Sequence, residues 1–246
     1  MSQELLNHQP HLLKYLKNQR ELIHHIAPQV SRELTGKSVH DLRLATRRVR
    51  STLWLLKKSS AHLRFENLDL DLYRLGKALG SVRELDVAIL DAFEYGIDHK
   101  KLVDHRKVSK IRLKKQVDKL HRRKIETQLA DLEESVQAEY FISLNTISKR
   151  LRSQLKSQLK SRIRGQNKLH RLRVFMKRIK YVLESMGSPV KPITRLQCIL
   201  GDAHDLEFLQ SSTRKSSRLK TKQKVLNKKA GRLIRPALRF AAKQLH

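Results

Sequence analysis

V-H-D-L-R-L-A-T-R-R-V-R at residues 39–50 and L-H-R-L-R-V-F-M-K-R-I-K at residues 169–180 are two copies of one pattern. Aligned, they set His40, Arg43, Arg47, Arg48 and Arg50 opposite His170, Arg173, Lys177, Arg178 and Lys180. Offsets of three, seven and ten from the histidine follow the helical period, so four cationic groups share one stripe of each helix. At 1.5 Å per residue the stripe is roughly 15 Å long. It borders the apolar positions Val39, Leu42, Thr46, Val49 and Leu53 in the first copy, and Leu169, Leu172, Met176, Ile179 and Leu183 in the second. A merely solvated basic face would lie opposite the core, on the side where the helical wheel places Ala45, Arg48 and Thr52. A stripe that adjoins the core instead lines a cleft between packed helices.

Helical periodicity continues outward from both copies. His11–Leu34 carries apolar residues at helical spacing, with Pro28 expected to kink or break it. Thr35-Gly36 ends that segment, and Ser38 is the expected N-cap of a ladder helix running to about Lys58. Residues 66–79 and 82–95 read as two helices hinged near Gly80, closed by Gly96. A long charged stretch at about 99–138 reads as solvated helix, followed by a helix at about 141–163 that breaks at Gly165. The second ladder helix ends near Met186-Gly187-Ser188-Pro189. Residues 192–210 repeat the hinge pattern around Gly201, and 217–244 form a basic helix whose continuity Pro236 threatens. L-G-S-V-R-E-L-D-V-A-I-L at 79–90 also parallels L-G-D-A-H-D-L-E-F-L-Q at 200–210. The expectation is a duplicated four-helix unit, half 1 at about 1–138 and half 2 at about 139–246.

Composition agrees with an all-α chain: only 8 Gly, 5 Pro and 6 Phe stand among long runs of Leu, Lys, Arg and Gln. The formal net charge is +31, unevenly spread. From 141 onward 27 lysines and arginines face 4 acidic residues, whereas before it 27 face 19. Such an excess repels itself in a compact state, so an anionic partner is expected. The lone Cys198 excludes an intramolecular disulfide framework. No apolar run is long enough for a membrane span, and M-S-Q-E-L-L-N-H lacks the features of a signal segment, so a soluble, cytoplasmic chain is expected. No P-loop, G-x-S-x-G or H-E-x-x-H is present, which points away from catalysis, resident metal and cofactors. Asp202, His204 and Asp205 cannot share one helical face and are expected to serve as caps near a break at Gly201. Glu84, Asp86, Asp205 and Glu207 are expected to anchor basic neighbours within the bundle.

The paired motifs, each followed by an L-G-x-x-[RH]-[ED]-L-[DE] segment, resemble the CHAD family (conserved histidine α-helical domain) over nearly the whole chain. The resemblance implies two four-helix bundles related by a pseudo-twofold, with a basic pore or cleft between them. It implies noncatalytic binding of inorganic polyphosphate and association with polyphosphate granules. Carried over by position, the ligand-facing residues are His40, Arg43, Arg47, Arg50 and Arg83, then His170, Arg173, Lys177 and Lys180. His204 stands where Arg83 stands, and a neutral histidine lends the ligand less charge.

The physics runs the same way: polyphosphate offers no base edges or aromatic faces, so its binder needs cations and hydrogen-bond donors. Nonspecific RNA or DNA binding is the competing function, since charge alone suits it. Against it, aromatics are 5% of residues, and no zinc-finger spacing or RNP-like strand motif occurs. V-H-D-L-R also resembles the phosphoacceptor helix of sensor histidine kinases. No ATP-binding segment follows, the Thr-Pro after the arginine is missing, and Arg171 replaces the acid in the second copy. The basic segments 99–124 and 214–229 are expected to be solvated helix surface, with contact to membrane or nucleic acid, or extension of the polyanion track, as the alternatives.

Overall fold

Leucines at three- and four-residue spacing, with few residues that interrupt a helix, organise the chain. The computed structural model describes residues 9–55, 64–122, 125–160, 166–213 and 217–245, and every regular element among them is an α-helix. In chain order these are α1 Gln9–Arg32, α2 Gly36–Leu55, α3 Glu66–Glu94, α4 Lys100–Arg122, α5 Ile125–Lys160, α6 Gln166–Ser185, α7 Lys191–Ser212 and α8 Ser217–Gln244. Two compact units are present. One holds Met1–Leu90 and His99–Leu144, the other Asp91–Asp98 and Asn145–His246.

In the first unit α1 packs on α2 and α4. Its core takes one stripe from each helix, among them Leu12, Leu16 and Ile23 of α1, Leu42 and Leu53 of α2, and Leu68, Leu72, Leu75 and Leu79 of α3. Leu113 and Val117 of α4 and Leu132 and Val136 of α5 complete it. Arg20 to Glu133 at 2.9 Å and Ser31, donating to Asp118 at 2.8 Å, tie α1 to α5 and α4 around the rim. In the second unit α7 packs on both α6 and α8. Leu151 and Leu155 of α5, Met176, Ile179 and Leu183 of α6, Ile193, Leu196 and Leu209 of α7, and Leu219 and Leu238 of α8 are buried there.

Several sequence expectations change. α3 and α7 run unbroken through Gly80 and Gly201, so neither glycine is a hinge. Both glycines of α3 face α2 at ordinary contact distance: a Cβ at Gly80 would lie 3.9 Å from Arg43 Nε, and one at Gly76 would lie 3.6 Å from Thr46 Cγ2. Because α7 is continuous at Gly201, Asp202, His204 and Asp205 cap nothing. Space is open around Gly201, so Gly201→Ala is expected to stabilise the fold by about 0.5–1 kcal/mol through helix propensity, read as a raised denaturant midpoint at unchanged slope. The two helices expected at 99–138 and 141–163 divide differently, α5 running without a break through 138–141 because no glycine or proline interrupts it there. The expected break at Gly165 and the end of the first ladder helix at Lys58 lie outside the described residues.

Pro28 and Pro236 both sit inside continuous helices. Buried neighbours on either side, Ile26 and Val30 in α1 and Ile234 and Leu238 in α8, hold the helix across the lost hydrogen bond. Ser38 is not the N-cap of α2. Thr35 is: its Oγ1 accepts from the Ser38 N–H at 3.1 Å, and Ser38 Oγ donates back to the Thr35 carbonyl at 3.1 Å. Helices α3 and α6 end as expected at glycines with positive φ, Gly96 at 63° and Gly187 at 70°. Each end satisfies its last carbonyls alike, Ile97 donating to Ala92 and Gly96 to Phe93, Ser188 to Leu183 and Gly187 to Glu184.

Candidate functional site

The first ladder is set by how α2 is held. Ala45 and Thr52, expected on the solvated side, are buried along with Val39, Leu42, Thr46, Val49 and Leu53. The buried arc of α2 is therefore wide, because α1 covers one flank and α3 approaches the other through Gly76 and Gly80. Arg48 falls at the α1 edge of that arc, with its guanidinium 5.9 Å from the Tyr15 ring centroid and Nη1 donating to Gln19 Oε1 at 3.4 Å. The stripe of His40, Arg43, Arg47 and Arg50 follows the other edge, beside α3.

Arg83, one turn beyond Gly80 on α3, acts on the exposed His40. The His40 pKa lies below the usual histidine value. Partial burial is the main cause, followed by the positive charge of Arg83; Arg43 and Arg47 add to it, and Asp41 opposes. His40 is thus neutral at pH 7 and surrounded by three arginines. Arg43 and Arg50 of the stripe meet acids. Arg43 is largely buried with Nη2 4.0 Å from Glu84 Oε1. Arg50 Nε donates to Asp69 Oδ1 at 2.7 Å, and its guanidinium lies 5.0 Å from the Tyr73 ring centroid. Asp86 pairs with Arg106 of α4. Arg50 is thereby turned toward α3's Asp69 and Tyr73, while His40, Arg47 and Arg83 form the open part of the cluster.

The second ladder repeats this arrangement on α6 and α7. His170 is exposed, and its ring centroid lies 5.7 Å from that of His204. His204 therefore stands against His170 as Arg83 stands against His40. Arg173 is only 8% exposed, and the Gln197 amide donates to its backbone carbonyl at 3.1 Å. Asp205 aligns with Glu84 in the repeat, and Arg173 acts on it as Arg43 acts on Glu84. Burial raises the Asp205 pKa above the usual carboxylate range; Arg173 opposes this most strongly, Asp91 and Asp202 add to it, and Lys177 opposes more weakly. Lys180 Nζ lies 3.5 Å from Glu184 Oε1. His170, Arg173, His204, Glu207, Gln223 and Asn227 line a pocket of about 20 Å³, room for roughly one water molecule.

Each ladder thus joins its histidine to the residue at the Arg83/His204 position and sets its +3 arginine against a carboxylate of the neighbouring helix. The side chains that sequence reading missed are Tyr15 and Tyr73, which lie under Arg48 and Arg50. Tyr15 lies in another helix, 33 positions before Arg48, so only tertiary packing pairs them. Among the described residues, no three His, Cys, Asp or Glu side chains converge as metal ligands, and no helix is long and apolar enough to cross a membrane.

Two solved structures share this architecture. The crystal structure of the CHAD domain from the plant Ricinus communis matches with a TM-score of 0.61 at 22% identity, covering 97% of this chain and 91% of that one. PptA from Streptomyces chartreusis matches with a TM-score of 0.57 at 15% identity, covering 96% and 98%. At these identities the likeness is one of fold. No curated protein matches the chain. The CHAD domain family model matches residues 14–214, more than half of the sequence and both ladders within it, and the chain belongs to the CHAD domain family.

Proposed function

We propose that the protein binds inorganic polyphosphate, without catalysis, through the two His/Arg/Lys ladders. The observation that carries this reading is the cluster of His40 with Arg83, Arg43 and Arg47, together with its repeat around His170. Guanidinium groups crowded in the field of one imidazole repel one another when no anion is bound. Phosphate oxygens relieve the repulsion, accept from the imidazole N–H, and draw a proton onto the ring. Arginine supplies forked donors suited to tetrahedral oxyanions, and Lys177 supplies a point charge. Nucleic acid is the weaker fit, because aromatics are only 5% of residues and the ladder positions themselves carry cations and histidine instead of stacking rings. Granule association would follow from polymer binding and needs no separate address.

A thermal-unfolding titration with long-chain polyphosphate, orthophosphate, RNA and duplex DNA at two salt concentrations tests the reading. Free ligand at 100 times its Kd stabilises the native state by about 2.7 kcal/mol. Polyphosphate should shift the midpoint well beyond nucleic acid at equal phosphate concentration, and more at pH 6 than at pH 8. That pH sign follows from His40, whose depressed pKa rises when phosphate binds, so that binding takes up a proton. Equal shifts with every polyanion would make the ladders a general electrostatic surface, and no shift with any would leave the polyphosphate reading without support.

A further inference from the structure

On another face of α3, away from the ladder, lies a second basic groove. Helix α3 supplies Arg74, Lys77 and Ser81, and α4 supplies Ser109, Arg112 and Gln116, around a cleft of about 340 Å³. Both sets have the offsets zero, three and seven, so each occupies one helical face. On α3 that face is roughly 120° around the axis from Gly76, Gly80 and Arg83, at 100° per residue. Two helical turns make the groove roughly 11 Å long, longer than one phosphate group.

The lining has the chemistry of an anion site. Ser81 Oγ and Ser109 Oγ are 3.1 Å apart, so one hydroxyl donates to the other and the acceptor's own hydrogen is left to aim elsewhere. Lys77 and Arg112 are exposed and make no ion pair among the described residues. Acids of α3 and α4 are paired with cations: Asp71 with Arg74, Asp86 with Arg106, and Asp104 with Lys107. The face therefore carries uncompensated positive charge from both walls together with hydroxyl and amide donors.

We infer that this α3–α4 groove is a second subsite, for a run of two or three linked phosphate groups. The choice of an oligophosphate rests on the polyphosphate reading of the ladders, while the groove's anion chemistry stands on its own residues. The ligand is either a stretch of the long polymer or a free short oligophosphate, and chain length separates the two.

The test is titration of the full chain with tripolyphosphate, read by calorimetry and by the backbone amide resonances of Ser81 and Ser109. In the wild type, tripolyphosphate should shift both resonances, and Lys77→Gln/Arg112→Gln should weaken its binding at least tenfold without changing the unfolding midpoint. In an Arg47→Gln/Arg83→Gln variant, the Ser81 and Ser109 shifts should survive even where long-chain binding falls. The groove then stands whether or not the ladder reading does. If long-chain polymer shifts the same two resonances, the groove takes part of the polymer; if only tripolyphosphate does, it takes free oligophosphate. Unmoved Ser81 and Ser109 resonances, or a Lys77→Gln/Arg112→Gln variant in the Arg47→Gln/Arg83→Gln background whose two resonances titrate with tripolyphosphate as that background's do, would overturn the inference. Equal response to orthophosphate at equal phosphate concentration would overturn the assignment to linked phosphates.

Discussion

Replacing Arg47, Arg83 and Lys177 together with glutamine is expected to lower the affinity for long-chain polyphosphate by at least about 100-fold, since each charged hydrogen bond contributes about 1.5–3 kcal/mol. The choice of positions follows from the pairing. Arg43, Arg50 and Lys180 already meet Glu84, Asp69 and Glu184, and Arg173 is buried in the field of Asp205. Truncating those four would disturb the bundle as well as the ligand. Arg47 and Arg83 act on His40, and Lys177, half-buried on the equivalent edge of α6, acts on Asp205 more weakly than Arg173 does. Glutamine keeps most of the stem and a good helix propensity, so helical circular dichroism should be unchanged. The salt dependence of binding should become shallower, because fewer counterions are displaced from the polymer. The comparison variant, Arg50→Gln/Lys180→Gln, should cost much less affinity. If the triple variant binds as tightly as the wild type, the ladders are not the site.

The ladder was legible in the sequence because it is local. His40, Arg43 and Arg47 lie within two turns of one helix, and the second copy confirms their register. That His40 meets Arg83, and His170 meets His204, was not legible from periodicity, since the partners come from different helices; only the family resemblance put Arg83 in the same ligand set as His40, and His204 in the place that Arg83 holds. Chain breaks were less legible. A glycine reads the same whether it ends a helix or lies within one, and Gly80 does the second. Gly96 and Gly187 could be read correctly because polar or proline-containing segments follow them. The burial of Ala45 and Thr52 was hidden for another reason. A wheel shows which face is most apolar, but the width of the buried arc depends on how many helices flank α2. Whether Arg50 faces ligand or Asp69 is likewise a tertiary matter, decided by a helix beginning at Glu66.

Arg173→Met is expected to destabilise the second unit by about 3 kcal/mol at neutral pH, the usual scale for removing one partner from a buried charge pair. Methionine retains much of the packing volume, so the loss reports charge more than cavity. Its pH dependence identifies the cause. Burial holds the folded Asp205 pKa above the usual carboxylate value, near 3.9 in an unfolded chain. The native state therefore binds that proton more tightly than the unfolded state, and stability falls as pH rises through the interval between the two values. Arg173 is the strongest influence opposing the shift. Without it the folded pKa climbs further, and the interval over which stability is lost widens upward. The deficit of Arg173→Met should thus be small near pH 4 and grow until Asp205 is ionised in the variant too. In Arg173→Met/Asp205→Asn the extra pH dependence should disappear, which denaturant titrations at several pH values would read directly. A deficit of constant size across that range would mean Arg173 contributes through packing alone. If it instead tracks Asp205, Arg173 acts as a positioning residue: it holds α6 against α7 and sets the spacing of His170 and His204, across which the polymer would lie.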